Sequence, residues 1–75
     1  MNYDLAMMAL EGLARAPITV RNEMSGVSIE GPAASLKELA RLLLLLAGDS
    51  DEGVELQPNV HVTPGSLALR VRVRS

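Results

Sequence analysis

Apolar and polar positions divide the chain into six segments, two with a helical period and four that alternate. Between Asp4 and Arg15, Leu5, Met8, Ala9, Gly12 and Leu13 recur at i, i+3, i+4 spacing, and Met7, Leu10 and Ala14 broaden that face. This predicts a short N-terminal helix, capped by Asn2 or Asp4, weakened by Gly12 and ended by Pro17. A loosely held N-terminal arm is the alternative for residues 1–16. From Ile18 to Glu30 the pattern is that of a hairpin. Ile18 and Val20 alternate with Thr19 and Arg21, Val27 and Ile29 alternate with Ser28 and Glu30, and Asn22-Glu23-Met24-Ser25-Gly26 is a turn cluster between them. Met24 should be partly exposed at the turn, and Gly26 is free to take positive φ.

Gly31-Pro32 breaks the strand and opens a second helix, SLKELARLLLLLAG, running to about Ala47 with Gly48 just past its end. At ~100° per residue, Leu36, Leu39, Ala40, Leu43, Leu46 and Ala47 share one face and Lys37, Glu38 and Arg41 the other. Leu45 points roughly 200° from Leu43, beside Glu38 and Arg41, with Leu42 and Leu44 on opposite flanks. The run of five leucines from Leu42 to Leu46 therefore makes a belt rather than the single stripe that one core requires.

Asp49-Ser50-Asp51-Glu52-Gly53 is an acidic loop. Val54 to Gln57 is a short strand interrupted by Pro58, with Val60, His61 and Val62 as its continuation after a kink. Thr63-Pro64-Gly65-Ser66 is a turn. Leu67 to Arg74 is the clearest strand, with Leu67, Leu69, Val71 and Val73 on one face and Arg70, Arg72 and Arg74 on the other. The expected architecture is a single α+β domain over residues 1–75: a short N-terminal helix, then a ββαββ core over 17–75. In that core a four-stranded antiparallel sheet carries the leucine-rich helix on one face. Its apolar side should hold Ile18, Val20, Val27, Ile29, Leu56, Leu69 and Val71 against Leu36, Leu39, Leu43 and Leu46.

Composition narrows the function classes. At 75 residues the domain is small, and with Tyr3 its one aromatic residue the core must be aliphatic, so burial shared with a partner would offset its small size. The absence of cysteine excludes disulfides and thiolate metal sites, and suits a cytoplasmic location. A net charge of -2 gives no case for nucleic acid, and no stretch reaches the ~18–20 apolar residues of a membrane span. His61, the one histidine, has no ligand spacing to other residues. No nucleophile–base arrangement and no phosphate-binding glycine loop occurs, so neither an enzyme nor a cofactor is expected.

Two interaction features remain. The leucine belt predicts an interface formed by Leu42, Leu44 and Leu45 with Met7, Met8 and Leu10 of the first helix, either with a protein partner or in a homodimer. Packing of the N-terminal helix over the belt within one chain is the alternative. The arginine stripe of Arg70, Arg72 and Arg74 could contact an acidic partner, or else pair with Glu55 and Glu30 across the sheet.

From Val27 to Val73 the order of motifs resembles immunity protein family thirty-two of bacterial polymorphic toxin systems. The motifs are a strand ending VSIEG, the helix SLKELARLLLLLAG, short strand pieces with ELQP and VHV, a turn TPGS and a final strand LALRVRV. Members of that family carry more than one histidine in the short strand, where this chain has His61 alone, and residues 1–15 have no counterpart there. The resemblance implies a protein that binds and neutralises a cognate toxin.

Overall fold

Asn2 starts helix α1 (Tyr3–Arg15): its side chain accepts a 3.2 Å hydrogen bond from the Leu5 amide, satisfying one of the helix's unpaired amides. The structure is a computed structural model. It describes residues 2–48 and 53–74, and the acidic segment 49–52 lies outside the described residues. The remaining elements are β1 (Thr19–Glu23), β2 (Gly26–Glu30), α2 (Ala33–Ala47), β3 (Gly53–Leu56) and β4 (Leu69–Arg72). Among the described residues, no helix is long and apolar enough to cross a membrane.

The chain is thus α+β, but the expected four-stranded sheet is two separate antiparallel hairpins, β1–β2 and β3–β4. In the first, Thr19 faces Glu30 and Glu23 faces Gly26, leaving a loop of only Met24 and Ser25, with Gly26 at φ 154°. In the second, Leu56 faces Leu69 and Gly53 faces Arg72.

The reason the sheets stay apart lies in residues 57–68. Pro58 stops β3, and the Gln57 carbonyl gathers the amides of Val60, His61 and Val62 in a tight turn with Asn59 at φ 69°. The chain emerging from that turn bonds to the free edge of β1. Ile18 donates to the His61 carbonyl and accepts from Thr63, while Leu67 donates to the Val20 carbonyl. Val60 and Leu67, expected in strands, instead lie in this connection and are exposed.

Thr63-Pro64-Gly65-Ser66 forms a turn closed by the Ser66 amide on the Thr63 carbonyl, with Gly65 at φ 84°, the geometry of a type II turn. It presents Ser66 Oγ to the Val20 amide at 3.2 Å and to Thr63 Oγ1 at 2.7 Å, and Thr63 Oγ1 meets Thr19 Oγ1 at 2.9 Å. Hydroxyls here do the work that a strand's backbone would do in a continuous sheet.

Helices α1 and α2 pack against each other in antiparallel fashion. Ser35, at the start of α2, donates to the carbonyl of Ala16 at the end of α1 at 2.6 Å. Gly12 permits the close approach, since a Cβ there would sit 3.0 Å from Glu38 Cγ. The core joins Ala6, Ala9 and Leu13 of α1, Ile18 and Val20 around β1, Leu39 and Leu42 of α2, Leu56 of β3 and Val62. Leu46 is buried as well, and Leu10, Leu45, Val54 and Leu69 pack on the core's margin.

Both helices are rotated from their expected phase. The buried face of α2 is Ser35, Leu39, Leu42 and Leu46, so Leu36 and Leu43, expected inside, are exposed. That of α1 is Ala6, Ala9 and Leu13, so Leu5 and Met8 lie outside it. Val27 and Ile29 of β2 also belong to the exposed surface rather than the core. Gly48 ends α2 in right-handed conformation, φ -76° and ψ -11°, and so needs none of glycine's freedom.

Candidate interaction surfaces

The leucine run is divided by the fold into three roles. Leu42 is fully buried, with 0% exposure, and is a core residue, not an interface residue. Leu45 is half-buried against the core's margin, as is Leu10 of α1, so two further members of the expected interface are largely used within the chain. Leu44 remains outside at 76% exposure. The belt is therefore mostly the two-sided covering of one helix, α1 packing along one flank and the strands beneath. With ~100° per residue, Leu36, Ala40, Leu43 and Ala47 form a stripe on the flank away from Glu38 and Gly12, with Leu44 beside it. All five are exposed.

Met7 and Met8 are both exposed, but they do not join this surface. Met8 lines a cleft of about 370 Å³ between the helices with Glu11, Gly12, Arg15, Ser35, Glu38 and Arg41. Met7 is turned ~100° from it around α1. Arg41 pairs with Glu38 at 3.4 Å and stands between the cleft and Leu44. The charged cleft and the leucine stripe are consequently separate surfaces, which spacing along each helix could not reveal.

The arginine side chains lie on the exposed face of β4 and just beyond it: Arg70, Arg72 and Arg74 are all exposed. Register sets Arg70 opposite Glu55, and Arg70 Nε donates to Glu55 Oε1 at 2.9 Å. That hydrogen bond holds the Glu55 carboxyl below the usual carboxylate range, helped by the Gln57 side chain, opposed by desolvation, and aided further by the charges of Arg70 and Arg72. Arg72 lies over Gly53, where an added Cβ would be 3.1 Å from its Cγ. Glu30, expected as a partner of the stripe, instead sits 3.9 Å from Arg21 on its own hairpin.

His61 sits in the turn after β3, half-buried, and its Nδ1 lies 3.5 Å from the Gln57 amide. Burial lowers its pKa below 6.5. Among the described residues, no three His, Cys, Asp or Glu side chains come together in a way that could hold a metal ion. No family model, no curated protein and no solved structure matches the chain.

Proposed function

We propose that the chain is a non-enzymatic protein-binding module that docks a partner on the outer face of α2. The observation that carries this reading is Leu44, a large aliphatic side chain at 76% exposure beside the stripe of Leu36, Ala40, Leu43 and Ala47. Burying one leucine of this kind is worth ~1.5–3 kcal/mol, so a partner that covers the face gains from several at once. Arg70, Arg72 and Arg74 would add contacts to an acidic partner. The resemblance of residues 27–73 to immunity proteins makes a toxin, bound and neutralised in the cytoplasm, the partner of choice.

Co-expression with the product of the adjacent gene tests this reading. The two proteins should co-purify, growth inhibition by the partner should be relieved, and Leu44→Glu should abolish both effects while leaving the circular dichroism spectrum unchanged. Full protection by Leu44→Glu would remove α2 from the binding surface.

A second reading is self-association through the same face. It is supported by the make-up of the core, whose buried side chains among the described residues are Ala, Val, Ile and Leu with no aromatic ring. Such a core leaves a small domain short of buried area. In that case Leu44→Glu converts a dimer to a monomer in sedimentation without any second protein present.

A further inference from the structure

The β1–β2 hairpin uses only one edge of β2. Val20 and Ile18 direct their backbone groups away from β2, because both bond to the connection 61–67. Backbone direction alternates along a strand, so Thr19, Arg21 and Glu23 are the β1 residues that bond to β2, through Glu30, Ser28 and Gly26. The amides and carbonyls of Val27 and Ile29 therefore point outward. Among the described residues, no hydrogen bond from elsewhere in the chain reaches them.

Exposed strand edges are ordinarily blunted by charged side chains, lysine above all, by proline, or by a bulge. The outer edge of β2, Gly26-Val27-Ser28-Ile29-Glu30, carries one charge, Glu30 at its end, and no proline, and its register with β1 runs unbroken over all five pairs. Arginine at alternate positions protects β4 by contrast. Two of its side chains are exposed and apolar: Val27 is 63% and Ile29 41% exposed, on the face that Val20 buries in the core.

We propose that this edge pairs with the same edge of a second copy, antiparallel about a two-fold axis at Ser28. The sequence of β2 is self-complementary in that one register. Val27 and Ile29 are the residues with outward backbone groups, and about Ser28 each Val27 faces Ile29 of the other copy. All outward donors and acceptors of both strands are then matched. A shift by two residues would set Ile29 opposite Ser25 in the turn or Val27 opposite Gly31, beyond the strand, leaving part of each edge unpaired. The same register lays Val27 against Ile29 on the core side of the sheet and places Glu30 opposite Gly26, so no like charges face each other. Ser28, small and already hydrogen-bonded to Glu23 at 3.0 Å on the polar side, fits the close pair at the axis. The result is a four-stranded sheet in the order β1-β2-β2-β1 across two chains. It uses a different surface from the α2 face and stands without it.

The chain lacks cysteine, so one introduced thiol reports one contact. Two Ser28 positions in this register are ~4.5 Å apart between Cα atoms, within the range of a disulfide. Two Arg21 positions, each one strand further in, are separated by three strand spacings, ~14 Å. On mild oxidation Ser28→Cys should give a disulfide-linked dimer and Arg21→Cys should not. Val27→Lys, which leaves the hairpin's own hydrogen bonds intact, should weaken the dimer of the otherwise unaltered chain at least ~10-fold in sedimentation equilibrium. It decides the matter if Ser28→Cys fails to fold. Equal cross-linking of both cysteine variants, a wild-type chain that stays monomeric at millimolar concentration, or a dimer untouched by Val27→Lys but lost with Leu44→Glu would each overturn the proposal.

Discussion

Ser35 Oγ donates to the Ala16 carbonyl at 2.6 Å, tying the first turn of α2 to the residue that caps the end of α1. Ser35 is 1% exposed, the one buried polar side chain among the described residues. Its bond satisfies a carbonyl that the end of α1 leaves without a helical donor, just before Pro17, which has no amide. Ser35→Ala should destabilise the chain by about 1–2 kcal/mol, because the Ala16 carbonyl loses its donor where water reaches it poorly. Urea denaturation should show a lower midpoint at unchanged slope.

Neighbouring leucines in α2 should differ sharply. Leu42 is completely buried and Leu43 is 36% exposed. Leu42→Ala leaves a cavity in an aliphatic core and should cost about 2–5 kcal/mol, much of the stability of so small a domain. Leu43→Ala should cost roughly 1 kcal/mol or less, since its site is partly solvated. Equal losses at the two positions, measured by thermal or urea unfolding, would contradict the observed phase of the helix.

That phase was the main feature the sequence concealed. The faces 36-39-43-46 and 35-39-42-46 share Leu39 and Leu46 and differ by Leu36 against Ser35 and Leu43 against Leu42. Hydrophobicity favours the first face. The fold adopts the second, which brings Ser35 to the Ala16 carbonyl, a tertiary hydrogen bond that periodicity does not register. In α1 the buried face is shifted likewise: Ala6 joins Ala9 and Leu13 inside, while Leu5 and Met8 are exposed. Legible from local pattern were both helices, the first hairpin and the Arg70–Glu55 pairing, each fixed by neighbours in sequence or by strand alternation. The sheet's division was not, because Pro58 marks an interruption without saying where the chain goes next. Its destination, the edge of β1, is set by hydroxyl contacts of Thr63 and Ser66 with residues more than forty positions earlier.

His61 gives the fold a pH dependence of known sign. Burial lowers its folded-state pKa below the 6.5 of a free imidazole, so the unfolded chain binds the proton more tightly. The contribution of His61 to stability should be constant above that value, fall as pH drops through 6.5, and level off below the folded-state pKa. Protonation at Nδ1 would also oppose the Gln57 amide that faces it. Histidine titration followed by NMR should place His61 below 6.5, and His61→Gln should flatten this part of the stability profile.

The arginine stripe should matter little to folding. Arg70 and Glu55 are both exposed, and water screens their attraction. Replacing Arg70, Arg72 and Arg74 together by glutamine should leave the melting temperature nearly unchanged, while the Glu55 carboxyl returns toward its ordinary range. Binding of an acidic partner should weaken and lose its salt dependence. A large fall in melting temperature would make the stripe structural and remove the basis for a role in binding.

Gly65 tests how far the junction between the hairpins depends on one backbone angle. Its φ of 84° is left-handed, and nothing lies within 4 Å of where a Cβ would be, so alanine there meets conformational strain and no clash. That strain costs about 1–2 kcal/mol, partly offset by the reduced freedom of the unfolded chain. Asparagine, which tolerates the left-handed region, should be milder than alanine. Relaxing the turn would move Ser66 away from the Val20 amide and loosen the hold of 61–67 on β1. In Gly65→Ala, hydrogen exchange should therefore accelerate at Val20 and Leu67, while Ala9 and Leu13, inside α1, keep protection set by global unfolding. Uniform acceleration at all four amides would mean that the junction has no local stability of its own.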